Sequence, residues 1–514
     1  MTEPTSLNQQ LGVNNVTWKL SDLYSGSDDS AIQIDIDWCK QEAAAIKTNY
    51  YQKVKTLSAR ELFSLVQRLE KLDSRLTRLA TYSFLNFATQ LDNADAGALD
   101  QKIRETNSEI EVNTVFFELE WNNLDDAKAK EILTDNQLAT YKHYLLSLRR
   151  NKPHLLSETE EKLLLEREVT GRRSWITLFD KVITGHKFGK NNRTEEEVLA
   201  DLHHKDRDVR RTAAREMTEG LEKNNHILTH IFNTLAADKM VTDRQRNYGS
   251  WISSMNLHNE LEDKTVETLV TAVTSRYDMV ERYYNTKKEL LGFDTLYDYD
   301  RYAPLPSLPT EEIAWDKCKE TVLQSFKEFS PEMARIAADF FDREWIHAPI
   351  QPAKQGGAFA HPCVPEVHPY VLVNYTGSHR DISTVAHELG HGVHQVLAAS
   401  MGHFNSDTPL PLAETASVFA ELLVFYSQLK QFANEQEKKA FICQKLESIF
   451  ATVFRQTAMN RFEDAMHNGR REHGELSPEK LSEYWLQTQR AMFGNSVELS
   501  KDYGVWWSYI PHFL

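Results

Sequence analysis

Cysteine is scarce in this chain: there are four in 514 residues, at positions 39, 318, 363 and 443, and no Cys-x-x-Cys pair. That scarcity excludes a disulfide framework, a structural zinc ribbon and a thioredoxin-like redox motif. Positive charge is in deficit too, with 59 Lys and Arg against 75 Asp and Glu, a net charge of −16. Phosphate binding needs a basic surface, so nucleic acid is not an expected partner. The sequence shows no internal repeat and no low-complexity tract. No apolar run is read as reaching membrane-spanning length, so no membrane partner is expected. Residues 1–10 are polar and lack the apolar core of a secretory signal. With so few cysteines, a reducing cytoplasm is the simplest location.

Chain breakers are also few, at 19 Gly and 15 Pro, which permits long helices. Leu62, Leu65, Val66, Leu69, Leu72, Leu76 and Leu79 keep the i, i+3, i+4, i+7 rhythm of a core helix. Similar patterns run through Glu158–Glu168, Val209–Asp238, Glu262–Leu291, Thr310–Phe341 and Gln436–His467. Gly185–Arg193, Arg301–Pro309 and Pro349–Pro369 read as loops. Tyr370-Val371-Leu372-Val373-Asn374-Tyr375 is short, β-branched and aromatic, the pattern of a strand. Such a strand is expected to offer its edge to a peptide, and Gly356-Gly357 to let a loop backbone approach that peptide. The length allows two to four domains.

What is present is concentrated in one run, His387-Glu388-Leu389-Gly390-His391-Gly392-Val393-His394. Two histidines four apart on a helix point the same way and can grip one metal ion. Ile382, Val385, Ala386, Leu389, Val393 and Val396 form the apolar face of that helix, with Asp381 as its expected N-cap. Gly390 and Gly392 each cost about 1 kcal/mol relative to Ala in a helix, so something is expected to pack tightly against them. The Glu of H-E-x-x-H is the usual base of a metalloprotease, which makes Glu388 the candidate.

The longer metzincin motif needs Gly and His where this chain has His394 and Leu397, so the third ligand comes from elsewhere. Thr408-Pro409-Leu410-Pro411 starts a second helix, on which Glu414 and Glu421 lie two turns apart. Glu414 is expected to bind the metal. Glu421 is expected either to bond the outer nitrogen of a ligand His or to be a solvated carboxylate. His361, His368 and His379 flank the predicted strand; each could polarise a substrate carbonyl, and the expected role of any single one is to cap a turn. His203-His204 is expected on a solvated helix surface.

His-Glu-Leu-Gly-His-Gly-Val-His followed by Leu412-Ala413-Glu414-Thr415-Ala416-Ser417 resembles the oligoendopeptidase F group, itself similar to thimet oligopeptidase. Trp18–Tyr24, Asp298–Pro304, Gly356–Phe359 and Val371–Tyr375 also resemble segments of that group. The resemblance implies a mainly α, multi-helix fold with a small β-sheet beside the zinc helix and a deep substrate channel. It implies one zinc ion per chain on His387, His391 and Glu414, with Glu388 as catalytic base. The implied activity is zinc-dependent endopeptidase action on short peptides. The implied division is a lid-like helical domain, 1–200, and a catalytic domain, 201–514.

Members of the group continue beyond a segment like Trp506–Phe513 with a helix whose Tyr and His contact the substrate. On that comparison the chain looks truncated, and Tyr503, Tyr509 and His512 are the last candidates for the role. Losing one oxyanion donor costs roughly a hundredfold or more in rate. The alternative reading is therefore a zinc-retaining but weakly active peptide-binding protein, or a fragment lacking those transition-state donors.

Overall fold

The computed structural model describes residues 4–168, 170–307 and 312–514. The fold is mainly α-helical, with one small three-stranded sheet among the described residues. The chain forms two compact units, each drawn from two stretches: 1–165 with 310–431, and 166–309 with 432–514. Residues 1–165 thus pack in the same unit as the H-E-x-x-H run, whereas the sequence reading cuts the chain at 200.

In the first unit, helix α1 (Ala59–Ala88) starts with a capping box between Ser58 and Glu61. All seven residues of its predicted apolar stripe are buried, which makes it a core helix. The expected helix Thr310–Phe341 is two helices, α2 (Trp315–Phe329) and α3 (Pro331–Asp342); residues 310–311 lie outside the described residues. Pro331 forces the break: it supplies no N–H to the preceding turn, and Ser330 caps the new helix instead. Helices α4 (His379–Ala398) and α5 (Leu410–Leu429) follow, and they carry the candidate site.

The sheet joins β1 (Ile346–His347), β2 (Phe359–His361) and β3 (Tyr370–Leu372) in the order β1-β3-β2. β1 pairs parallel to β3, and β2 pairs antiparallel to it. The predicted strand is therefore the central one, paired on both sides, which corrects the expectation that it offers a free edge. β2 is an outer strand of the sheet, inside a stretch read as loop. Val371 donates to Trp345 O at 2.9 Å, towards β1. Its partner Ala360 accordingly turns its N–H and C=O away from β3, towards side chains of α4. Trp18, in an amino-terminal segment that resembles the family, packs edge-on against His347 and Tyr370.

Helix α5 corrects another expectation. It is 20 residues long and holds an 18-residue window of mean hydropathy 1.2, long and apolar enough by length and composition alone to cross a membrane. It also carries Glu414 and Glu421.

The second unit is built on the long helix Arg207–Gln245. The stretch Glu262–Leu291, read as one helix, is two: Asp263–Thr274 and Tyr277–Leu291. The stretch from Gln436 to His467 is helical throughout, with a π-helical turn at Ala451–Arg455. Tyr503 is buried in this unit against Trp485 and Trp506, and Tyr509 lies edge-on to Trp506. His512 is exposed. His203 and His204 are exposed as well, in a turn rather than on a helix.

Candidate metal centre

The position of each site residue follows from how α4 and α5 start and how closely they pack. Ser378, not Asp381, is the N-cap of α4: its hydroxyl accepts from the Asp381 amide. Asp381 closes the capping box from the other side and also accepts from the Thr376 amide at 2.8 Å. The predicted apolar face is confirmed, with Ile382, Val385, Ala386, Leu389 and Val393 buried.

The two helix glycines mark the closest approaches. A Cβ on Gly390 would come within 2.7 Å of the Ala420 Cβ and 2.8 Å of the Ala416 carbonyl oxygen, both on α5. A Cβ on Gly392 would come within 2.6 Å of the Phe340 ring on α3. Hydrogen in place of methyl lets α4 and α5 touch backbone to backbone, which draws Glu414 onto the histidine face.

His387, His391 and Glu414 converge, with one donor atom from each lying within 4.8 Å of the others. The Glu414 Oε2 lies 3.4 Å from His387 Nε2 and 3.6 Å from His391 Nε2. Ligands about 2.0–2.1 Å from a tetrahedral metal stand roughly 3.3 Å apart, so the spacing suits such an ion. The two imidazole rings are edge-on, with centroids 4.9 Å apart. Ser417, one turn beyond Glu414, donates its hydroxyl to the Glu414 Oε2 at 2.8 Å. Glu421 reaches the other nitrogen of His387, Nδ1, at 3.6 Å.

The electrostatics follow from this arrangement. Burial alone would depress the His387 pKa, but the facing Glu414 and Glu421 carboxylates outweigh it and raise it to about 10. The same His387 imidazole holds the Glu414 carboxyl down to about 2, against burial and with help from Ser417. Two carboxylates thus favour positive charge between them, the preference that a divalent cation also satisfies. Burial lowers the pKa of His391 and favours its neutral form. Burial also pushes Glu388 up to about 7, opposed by His387 and by the Ala360 backbone amide. Only 7 % of Glu388 is exposed. Gln395, two turns on, donates to Ala360 O at 3.2 Å, so α4 holds both outward groups of β2.

Ser417, Ala360 and Gln395 are the site residues that sequence reading missed. Ser417 was detectable as the i+3 neighbour of Glu414 on one helix face; the other two depend on where a three-residue strand lies. The flanking histidines divide. His368 is buried, stacked on Trp345 with centroids 3.9 Å apart, and its Nε2 lies 3.1 Å from Asp22. His379 opens α4, with its Nδ1 3.1 Å from Gln428. His361 ends β2.

A family model described as peptidase family M3 matches residues 201–513, more than half of the chain. The chain belongs to peptidase family M3. A second model, described as oligopeptidase F, matches residues 120–188. Membership makes the protein a metalloendopeptidase of the oligoendopeptidase F kind. It is 26 % identical to oligopeptidase PepF of Bacillus subtilis over 97 % of this chain and 75 % of that relative. It is 25 % identical to the chromosomal oligoendopeptidase F of Lactococcus lactis subsp. cremoris, over 97 % of this chain and 84 % of the other. Solved structures share the fold. A putative peptidase from Chlamydophila abortus superposes with a TM-score of 0.79 at 22 % identity, covering 97 % of this chain and 84 % of that one. Oligoendopeptidase F from Enterococcus faecium gives 0.68 at 20 %, covering 94 % and 84 %.

Proposed function

We propose that this M3 peptidase is zinc-dependent and cleaves internal bonds of short peptides, with His387, His391 and Glu414 as ligands and Glu388 as base. The observation that carries the reading is the convergence of two imidazole nitrogens and one carboxylate oxygen at metal-ligand spacing, beside a buried carboxyl. Zinc held there supplies Lewis acidity for the attack of water on a peptide carbonyl. Glu388 takes the proton from that water and passes it to the leaving amine. A carboxyl with a pKa near 7 is suited to both transfers. Glu421 fixes the tautomer and tilt of His387 from its far side. A substrate that lies along β2 would take over the Ala360 N–H and C=O from Glu388 and Gln395, and these groups recognise backbone rather than side chains. We also propose a cytoplasmic location, on the cysteine pattern.

Metal analysis of the purified protein together with a quenched fluorescent peptide assay tests this. One zinc per chain and zinc-dependent cleavage are expected. Glu388→Gln is expected to keep the zinc and lose about 10²–10⁴-fold in turnover; His391→Ala is expected to lose the metal. Wild-type cleavage by Glu388→Gln sinks the assignment of the base. Peptide binding without any cleavage supports a binding protein instead.

A further inference from the structure

We infer that the second unit binds a small monovalent anion, a halide or a single carboxylate group, in a cavity walled by Arg301, Tyr302 and Arg455. The inference goes beyond the peptidase reading and does not rest on it, since none of these residues belongs to the metal centre.

The cavity measures about 30 Å³, room for one small ion or a water or two. Arg301 forms part of its wall and is only 4 % exposed. Its Nε donates to the Asp298 carbonyl oxygen at 2.8 Å. Three rings stand against the guanidinium, with centroids at 4.8 Å for Tyr503, 5.1 Å for Tyr302 and 5.6 Å for Phe493. That leaves the two terminal amino groups, and among the described residues no acceptor meets either of them. A guanidinium carries five donors and cannot shed its charge, and buried donors are rarely left unmet.

Arg455 reaches the same wall from the π-helical turn Ala451–Arg455, a kind of turn that recurs at functional sites. It donates to the Tyr302 hydroxyl, and no carboxylate among the described residues lies within ion-pair distance of it or of Arg301. The wall holds one carboxylate, Glu447, to which Lys287 and Tyr283 both donate. Even with Lys287 left out of the count, Glu447 balances only one of the two guanidiniums. The Tyr302 phenol registers the excess: burial alone would raise its pKa, yet Arg301 and Arg455 bring it below the ordinary value. Much of the remaining wall is apolar, with Val280, Phe450 and Met492, so a charge inside is weakly screened. The small volume favours a halide or the tip of a carboxylate over sulfate or phosphate.

The test unfolds the full chain by heat at constant ionic strength, with sodium chloride, sodium formate or sodium gluconate as the salt. Gluconate is too bulky for the cavity and serves as the blank. An anion that binds only the folded chain, at about ten times its dissociation constant, multiplies the folded-to-unfolded ratio about elevenfold. Chloride is therefore expected to raise the unfolding midpoint by roughly 2–4 °C over gluconate. Chloride acting alone supports a halide site, and formate acting as strongly supports a carboxylate site. Arg455→Gln, at a half-buried position, is expected to lose the difference between salts. Crystals soaked in sodium bromide read the site without any variant: anomalous scattering is expected to place one bromide against Arg301 and Arg455. Equal midpoints in all the salts, an undiminished difference in Arg455→Gln, or a cavity that excludes bromide overturns the proposal and leaves the peptidase reading intact.

Discussion

Each unit gathers charged side chains, and the two clusters are built to opposite ends. In the second unit, Asp300 has no exposed surface and its carboxylate accepts several short hydrogen bonds. Arg210 donates to it at 2.8 Å, Arg207 at 2.7 Å and the Tyr297 amide at 3.1 Å. In the first unit, Glu414 has one short contact, to Ser417, and faces two imidazoles at 3.4 and 3.6 Å. Those separations are longer than the ones around Asp300 and match the spacing of ligands around a shared ion. A cluster that closes on itself holds a fold together; one that stops short keeps room for something else. Asp300 lies in Asp298–Pro304, a stretch that resembles the family in sequence, so resemblance alone does not separate the two roles.

The largest expected effect sets these clusters against each other. Asp300→Ala leaves Arg210, which is 1 % exposed, without a carboxylate counter-ion and with only backbone carbonyls to bond, and is expected to cost about 3–5 kcal/mol in urea unfolding. Glu414→Ala is expected to change metal-free stability by less than about 1 kcal/mol while abolishing zinc binding. Equal losses of stability would break the comparison. Next comes the contact that brings α5 to the histidines: Gly390→Ala is expected to cost about 1–3 kcal/mol through overpacking and to weaken zinc binding with it. Glu421→Gln is expected to weaken zinc binding about 10–100-fold with little change in unfolding, read by competition with a chelator.

The smallest effect contrasts the histidines. Burial holds both His347 and His467 down to about 3, so the folded state excludes a proton that the unfolded chain takes up below about 6.5. Stability is therefore expected to fall with pH across that window. Between pH 7 and 6 each residue contributes roughly 0.7 kcal/mol, measurable by urea titration.

Much of the site was legible because its information is local. His387, His391 and the apolar stripe of α4 are fixed by one helical period, and the two glycines announced a close neighbour without naming it. The neighbours themselves, Ala420 and Phe340, were not readable, since nothing in local spacing says which helix docks where. β2 was missed for a related reason: three residues are too few to show alternation, and they sit in a stretch rich in Gly, Pro and His. The helix breaks at Pro331 and between Thr274 and Tyr277 escaped a reading that followed apolar rhythm, because the rhythm continues through both. The composition of each unit from two distant stretches is a property of tertiary packing, and no window of sequence contains it.

The bare helix contact at Gly390 has a consequence for how this protein can change over generations. With Ala420 and the Ala416 carbonyl already at touching distance, neither helix has slack to absorb a larger neighbour. A lineage that enlarges one side must trim the other in the same step, so the two segments descend together as a single inherited piece, while the surfaces around them drift freely.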